Sequence, residues 1–588
     1  MNDPSHRDGP PVETSSETER DTEVNAVKPN PPIDVLESAS QIAGETVLEV
    51  GESTPDFPSE PPPAPSTARS AFVVGAGILI SRIIGLIRQR VFAHYFGTSA
   101  AGDAFSAAFR IPNFLQNVFG EGALSASFIP VYAKLLAQEN DPESRYVANA
   151  VFGLLALVTS LAVLFGVLAA PFLVSIIAPG FVDERRDLTI LLVRIFFPGA
   201  GLLVLSAWCL GVLNSHHRFF ISYTAPVAWN LCIITTLIVF GSQVDQFRLA
   251  EITAWGSVAG SALQFAVQFP TVLRLIQGFR PLIDLASRHV RTVVRSFFPV
   301  FVSRGVVQIS AFVDEAIASF LGHGAVIALN YAQSLYTLPV SLFGMAVSAA
   351  ELPTMSRAIG HAEIVAQTLR QRLDAGLRRI AFFIVPSAMA FLTLGDVMAG
   401  ALYQTGRFSR ADAVYVWGIL AGSTVGLLGA TLGRLYSSTY YALQDTRTPL
   451  KYAIVHVLLS TALGFVTAIY LPPALGIDPK WGAACLTASA GIAAFVEFSL
   501  LRRSLNRRIG RTGLEFRYVA ILWLSAATGA ALGWGVKLLL PGLHPIPLAV
   551  AVLGTYGVSY FALTSMVGLP ESRTVVRKVL RIVGIRRF

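Results

Sequence analysis

Arginines inside an apolar stretch are the residues of this chain whose type and spacing best predict chemistry. The run from Ala71 to Phe96 would form roughly 39 Å of helix at about 1.5 Å per residue, enough to cross a hydrocarbon core of about 30 Å. It nevertheless carries Arg82, Arg88 and Arg90. An ionised arginine at that depth costs at least about 2.5 kcal/mol and is expected to face water, a partner or a ligand. We therefore expect a polar cavity here, and the guanidinium fork would suit the oxygens of a phosphate group bound in it.

Other polar side chains also interrupt the apolar stretches, and each has two readings. In the first half they are Asp103, Arg110, Asn113, Gln116 and Glu121, and in the second half Arg304, Gln308, Asp314, Glu315, Asn330, Gln333 and Glu351. They either face a ligand or form internal ion pairs, for example Arg88 or Arg110 with Asp103 or Glu121. For Arg82 and Arg304 we favour a ligand role.

The pair Asp314-Glu315 is the sharpest acidic feature of the second half. One of these carboxylates would hold a monovalent cation or a proton that couples transport. His456 and Ser460, one helical turn apart, would complete such a site. The alternative, an ion pair between Asp314 and Arg304 or another span, stays open.

Composition places these residues in a polytopic membrane protein. The 588 residues are 53% hydrophobic and only 14% charged, against about 25% charged in ordinary soluble proteins. The three cysteines, Cys209, Cys232 and Cys485, lie in apolar runs without metal-site spacing. We find no H-E-x-x-H, G-x-S-x-G or P-loop motif in a usable context and expect neither an enzyme nor a nucleic-acid binder.

The predicted organisation is all-α, with about fourteen transmembrane helices. Residues 1–70 hold 14 acidic and 4 basic side chains. Because residues 1–69 are also rich in Pro and Ser, we expect them to form a disordered acidic cytoplasmic tail. The remaining expectations are an N-terminal lobe at 70–290, a C-terminal lobe at 291–512, two additional helices at 513–570 and a basic cytoplasmic tail at 571–588. The links after spans six, eight and twelve are arginine-rich, which predicts that both termini are cytoplasmic.

An internal repeat relates the two six-helix lobes. Ser81-Arg82 recurs as Ser303-Arg304, Ile111-Pro112 as Leu338-Pro339, and Phe119-Gly120 as Phe343-Gly344, at offsets of 222 to 227 residues. Proline and glycine at matching places in spans two and eight predict discontinuous helices, which membranes tolerate only beside a cavity or under covering protein. Transporters built from repeats commonly hold substrate between the halves.

The stretch from Ser81 to Pro130 resembles a known family. It reads S-R-x-x-G-x-x-R, then F-G-x-x-x-x-x-D-A-F, P-N and F-x-E-G-A-x-S-x-x-F-x-P, and further likenesses lie at Ala178, Gly211 and Tyr441. These motifs are similar to those of the MurJ (MviN) lipid II flippases, members of the MOP exporter superfamily. The resemblance implies fourteen helices, two lobes around a central cavity for the lipid II pyrophosphate and sugars, and a lipid-tail groove formed with the two additional helices.

The resemblance also assigns roles by position. It implies cavity arginines at Arg82 and Arg88, acidic positions at Asp103 and Glu121, and a sodium-site aspartate at Asp314, with His456 and Ser460 at the partner positions on the eleventh helix. This chain departs from the family at Gln89, Gln116 and Ser334, where an acid and two arginines are usual. Arg304 is our candidate for replacing some of that charge, and Asn113 and Gln116 complete the expected substrate contacts.

The function expected from these observations is a flippase in the bacterial inner membrane. It would move undecaprenyl-pyrophosphate-linked precursor to the outer leaflet by alternating access. We expect it to need no cofactor, and transport would be driven by a coupling ion (sodium or proton) or by the membrane potential. Its partners would be lipid II and membrane lipids, and it would act as a monomer. The alternatives are another MOP-type exporter, of lipid-linked polysaccharide or drugs, or a polytopic glycosyltransferase, which would need a longer outward loop bearing a carboxylate.

Overall fold

A computed structural model describes residues 66–357 and 362–582; the side chains of residues 66–79, 111–112, 120–122, 302–310, 362, 576 and 578–582 are outside that description. The chain divides into Met1–Asp34, which lies outside the described residues, and Val35–Phe588, to which all of the following belongs. The expected disorder of residues 1–69 therefore stays a prediction except at its end, where the first helix begins at Ser66.

Helices occupy the first six predicted spans. They are α1 (Ser66–Phe96), α2 (Ala100–Leu115), a π-helical segment π1 (Gln116–Leu124), α3 (Ser125–Ala137), α4 (Asp141–Leu168), the short α5 (Ala170–Ile177), α6 (Asp183–Ser215), α7 (Phe219–Phe240) and α8 (Gln246–Ile276). Side-chain caps begin several of them: Asn140 accepts from the Glu143 amide, and Asp245 accepts from the Phe247 and Arg248 amides. Within this lobe α1 packs against α7, and α6 packs against α2 and α8.

The second lobe has a similar order of helices, without a counterpart of the short α5. It contains α9 (Arg288–Ala318), α10 (Ala325–Pro339), a second π-helical segment π2 (Val340–Met345), α11 (Ala346–Ser356), α12 (Ala362–Tyr403), α13 (Arg410–Ala442), α14 (Arg447–Ala474), a short 3₁₀ turn (Pro479–Trp481) and α15 (Gly482–Ile509). Ser409 and Asp412 form a capping box at the start of α13. Then α16 (Phe516–Leu539) and α17 (Pro545–Met566) pack on each other and on α12, before α18 (Pro570–Ile582).

Membrane crossing is supported by length and composition. Among the described residues, ten helices are long and apolar enough to span a membrane. The other four predicted spans coincide with α1, the α2–π1–α3 unit, α8 and α9. The all-α membrane class is confirmed, and the exact number of crossings stays a prediction.

The two predicted helix breaks take a different form. Spans two and eight continue without interruption, but each passes through a π-helical segment, π1 and π2, at places that the sequence repeat pairs. A π-helix bonds residue i to residue i+5, so it widens the helix where proline and glycine disturb the α-helical pattern. The expected discontinuous helices are therefore corrected to continuous helices with one widened stretch each.

The link between the lobes packs closely on α4. The Leu282 amide donates to the Asn149 carbonyl at 3.3 Å, and a Cβ on Gly153 would lie 2.1 Å from the Leu282 carbonyl oxygen. Only glycine permits this approach. In the same link the Tyr146 hydroxyl donates to Asp284 and, with the Ala286 amide, lowers the pKa of that carboxyl.

Candidate functional site

A cavity of about 640 Å³ lies between the two lobes. The first lobe contributes residues of α1, α2, π1 and α7, and the second contributes residues of α9, α10 and π2. Polar residues among its walls are Ser81, Arg82, Arg88, Gln89, Ser106, Arg110, Asn113, Asn117, Asn230, Asn330, Gln333, Ser334, Thr337 and Ser341. A cavity bounded by both halves of a repeat is the place where transporters hold their substrate.

The charge of this cavity is one-sided. Its lining includes Arg82, Arg88 and Arg110 and, among the residues described, no aspartate or glutamate. The guanidinium carbon of Arg88 lies 4.8 Å from the centre of the Trp229 ring, a cation–π contact that fixes the plane of the guanidinium group. Arg82 is exposed toward the open volume. The wall therefore favours an anionic ligand.

Arg110 is neutralised across the lobes. Its Nε lies 2.9 Å from Oε2 of Glu315, a carboxylate that is 1% exposed. The sequence left Arg110 open between a ligand role and an internal pair, for example with Asp103 or Glu121; the structure gives an internal pair with Glu315 on α9. Among the described lining residues, the charges left available to a ligand are those of Arg82 and Arg88.

Hydrogen bonds without an acidic partner join the lobes beside Arg88. The Gln89 amide donates to the Ser334 hydroxyl at 2.9 Å, and the Tyr403 hydroxyl donates to Gln89 Oε1 at 3.2 Å. Arg90 donates to the carbonyls of Ala401 and Leu402 at 2.6 and 3.0 Å. Gln89 and Ser334, two of the cavity positions that depart from the resembled family, are thus partners of each other.

The lobes also meet at what we call the closed end, formed by Gly97, Asp103, Arg185, Gly322, Gly324 and Thr405. Asp103 is fully buried and accepts from the Gly324 amide at 2.6 Å and the Ile327 amide at 2.9 Å, which caps the start of α10. It does not line the cavity. The expectation that Asp103 contacts substrate is therefore corrected in this conformation: the carboxylate satisfies backbone donors of the opposite lobe.

Arg185 extends the closed end. It approaches Asp103 at 3.4 Å and donates to the carbonyl of Gly322 at 3.0 Å and that of Ser319 at 3.4 Å. Further along, His94 Nδ1 lies 2.8 Å from the Thr405 hydroxyl, and the Arg407 amide donates to the His94 carbonyl at 2.8 Å. These bonds are short-range and directional, so they must break before the lobes separate here.

Other predicted substrate residues divide three ways. Asn113 lines the cavity as expected. Gln116 does not, and its neighbour Asn117 does, because Asn117 lies four residues after Asn113 and so on the same face of the helix. Arg304 and Glu121 lie where the structure does not describe side chains, so their roles stay predictions.

The predicted cation or proton site is partly assembled. Asp314 interacts electrostatically with Arg110 and His456. His456 Nδ1 lies 2.6 Å from Oε2 of Glu497 on α15, and the buried Ser460 hydroxyl has no hydrogen-bond partner among the described residues. None of these residues lines the cavity.

Comparison with known proteins gives the family. The sequence model described as "Lipid II flippase MurJ" matches residues 92–565. The chain belongs to the MurJ family. A probable lipid II flippase MurJ from Rhizobium tropici is 31% identical over 475 residues, which cover 79% of this chain and 86% of the relative. One from Rhizobium meliloti is 30% identical, covering 88% of this chain and 97% of the relative.

Solved structures confirm the fold. A lipid II flippase MurJ in an inward closed conformation superimposes with a TM-score of 0.68 at 23% identity, covering 85% of this chain and 98% of that one. A multidrug-resistance MATE transporter of the MOP superfamily, in an inward-facing conformation, gives 0.59 at 15% identity over 74% of this chain and 98% of its own length. The MOP-type fold expected from the sequence is therefore confirmed.

In and around the cavity of this MurJ-family chain, several side-chain partners were missed from sequence. Trp229 and Asn117 line it, Glu315 neutralises Arg110, Arg185 supports Asp103, and Glu497 pairs with His456. Arg185 lies at the start of one predicted span and Glu497 lies within another. Testing each charged residue in the spans as a partner for the others would therefore have included both. No pattern in the sequence predicts the stacking of Arg88 on Trp229.

Proposed function

We infer that this chain is a lipid II flippase, a transporter that carries the lipid-linked peptidoglycan precursor across the inner membrane. The observation that carries this is the inter-lobe cavity of a MurJ-family protein in which Arg82 and Arg88 face no carboxylate among the lining residues described. A pyrophosphate linkage is an anion with oxygens that accept charge-assisted hydrogen bonds from guanidinium groups. A cationic cavity disfavours cationic drugs by the same charge.

The geometry supports alternating access. The closed end seals one side of the lobes through Asp103, Arg185 and the backbone around Gly324, while the arginine wall lies between the lobes. Substrate then enters from the opposite, cytoplasmic side and leaves after the closed-end bonds break and the lobes separate there. The widened segments π1 and π2 sit on both sides of this movement and supply helices whose bonding can shift.

We also propose that a proton rather than sodium is the coupling ion, acting with the membrane potential. Sodium, a hard cation, would prefer a set of oxygen ligands. Here the ring nitrogen of His456 is already engaged by Glu497, so among the described residues the Asp314 carboxylate and the unpartnered Ser460 hydroxyl are left to supply oxygens. The residues present fit a proton held between imidazole and carboxylate better than a metal ion. Transport in proteoliposomes that requires a sodium gradient would contradict this.

We further propose that the protein acts as a monomer with both termini in the cytoplasm. The arginine-rich links and the basic residues of α18 support this orientation by the positive-inside rule.

Complementation tests the function. A strain depleted of its own lipid II flippase should grow when it expresses this chain, and Arg82→Ala should fail to support growth at normal membrane abundance. Each charge-assisted contact is worth roughly 1.5–3 kcal/mol, so its loss should weaken headgroup capture about ten- to a hundredfold. Arg82→Lys should rescue only partly because lysine lacks the fork.

Arg274→Ala is the matched control, since Arg274 is an exposed arginine at the end of α8 that does not line the cavity. It should complement fully. Wild-type protein that inserts at normal abundance and still leaves the depleted strain without growth would refute lipid II transport.

A further inference from the structure

A second cationic site lies at the C-terminal end of α15, away from the transport cavity. An open groove of about 400 Å³ is lined by Phe498, Ser499, Arg502, Arg503, Asn506 and Arg507. These residues follow the i, i+3, i+4, i+7 spacing that brings side chains onto one face of a helix. The three guanidinium groups therefore converge on one side of α15.

Two of these arginines carry free charge. The neighbouring Arg508 pairs with Asp445 at 2.7 Å, and Arg502 donates through Nε to the Thr512 carbonyl at 3.1 Å. Among the described residues, neither Arg503 nor Arg507 forms an ion pair, and both are exposed. Unpaired positive charge in a groove favours the binding of an anion.

The base of the groove is rigid. A Cβ on Gly513 would lie 2.5 Å from a terminal nitrogen of Arg502, and the Gly513 amide donates to Asp374 at 2.9 Å. The Thr512 amide and hydroxyl both donate to Asn506 Oδ1, at 3.0 and 2.5 Å. The loop before α16 thus holds Arg502 in place, and an anion bound here would contact a preformed guanidinium group.

The same face of α15 becomes apolar farther from its end. Ile492 and Phe495 are 47% and 37% exposed on this face, and Ser499 and Arg503 continue it at intervals of four residues. Phe495 and Arg503 are eight residues apart, or about 12 Å along the helix axis. An exposed apolar stripe that ends in cations matches a molecule with an acyl chain and an anionic headgroup, and not a free inorganic anion.

We propose that this groove binds the phosphodiester headgroup of an anionic phospholipid, with an acyl chain lying along Phe495 and Ile492. Basic pockets beside transmembrane helices on the cytoplasmic side are suited to anionic lipid headgroups. The site lies at the C-terminal end of α15, just before the loop that leads into α16. Binding of this lipid does not depend on which substrate the protein transports.

Native mass spectrometry of the full-length protein in detergent tests this with two lipids, dioleoyl-phosphatidylglycerol and dioleoyl-phosphatidylcholine. Wild type should retain phosphatidylglycerol in preference to phosphatidylcholine. The double variant Arg503→Gln/Arg507→Gln should lose at least tenfold of its affinity for phosphatidylglycerol. The control Arg288→Gln/Arg372→Gln removes two exposed arginines outside the groove and should bind as wild type.

Competition arms identify the source of the phosphate. Displacement of phosphatidylglycerol by millimolar inorganic phosphate would overturn the lipid assignment, as would equal binding of the two phospholipids or equal losses in both double variants. Displacement by undecaprenyl pyrophosphate at far lower concentration than phosphatidylglycerol would make the groove a substrate site and overturn it too. If the double variant loses its unfolding transition, the single charge reversal Arg503→Glu replaces it, with the same expected loss.

Discussion

The buried pair between Arg110 and Glu315 allows a quantitative test of how the lobes are held together. Glu315 is 1% exposed and Arg110 is 28% exposed, and the pair bridges α2 and α9 at 2.9 Å. Removing one partner of a buried pair typically costs about 3–5 kcal/mol because the other charge is left uncompensated. Arg110→Met leaves Glu315 with no other cation bonded to it among the described residues, so we expect a substantial loss of stability.

The magnitude should lie toward the lower end of that range. Arg110 faces the cavity, where water can partly solvate the orphaned carboxylate after the substitution. The double variant Arg110→Met/Glu315→Leu removes both charges at similar volume, and such replacements are often neutral. We therefore expect the apparent unfolding midpoint in detergent to fall clearly for Arg110→Met and to recover in the double variant.

The assay is a double-mutant cycle on the midpoint of thermal unfolding, with complementation measured in parallel. If Arg110 serves only to pair with Glu315, growth should recover together with stability in the double variant. Recovery of stability without growth would show that Arg110 also contacts substrate. Additive effects of the two single substitutions would refute the reasoning, since they would mean that the charges are not coupled.

Three further predictions concern the closed end, the orientation and the tail. Asp103→Ala should destabilise the inter-lobe contact by more than the roughly 0.5–2 kcal/mol of a lost helix cap, because it also leaves the buried Arg185 without its carboxylate, and Asp103→Asn should cost less because it keeps an acceptor; the thermal unfolding midpoint reports both. With cysteines introduced singly into a cysteine-free chain, a membrane-impermeant reagent added to intact spheroplasts should label His323→Cys and spare Arg288→Cys; the reverse pattern would invert the topology. Deleting residues 1–65 should leave complementation intact, because α1 begins at Ser66; loss of growth at normal abundance would contradict this.

The sequence predicted the helical architecture well because its signals are local. Apolar runs of membrane-spanning length predict helices from composition alone, and side chains such as Asn140, Asp245 and Ser409 sit at helix starts that their type favours. The form of the two widened segments was harder. Proline and glycine predict a disturbed helix, but whether it breaks or widens into π1 and π2 depends on packing by other helices.

The positions of site residues were predictable only where the cost of placing one side chain against lipid is enough to decide them. Arg82 and Arg88 are too costly to place against lipid, so the cavity wall was their expected place, and both line it. Asp103 satisfies the same rule in another way, by accepting from backbone amides of α10. A sequence does not distinguish these two solutions, because the choice depends on which backbone donors the opposite lobe presents.

The substitutions at Gln89 and Ser334 change the electrostatics of the cavity less than their loss of charge suggests. An acid near Arg88 would compete with a substrate phosphate for that guanidinium group, whereas Gln89 spends its hydrogen bonds on Ser334 and Tyr403. Replacing an acid and an arginine together by a neutral bonded pair leaves the local net charge unchanged. It also keeps a contact between the lobes at the same place. Among the described lining residues, Arg82 and Arg88 are then left as the charges that a pyrophosphate would meet, which is why Arg82→Ala is the most direct test of transport.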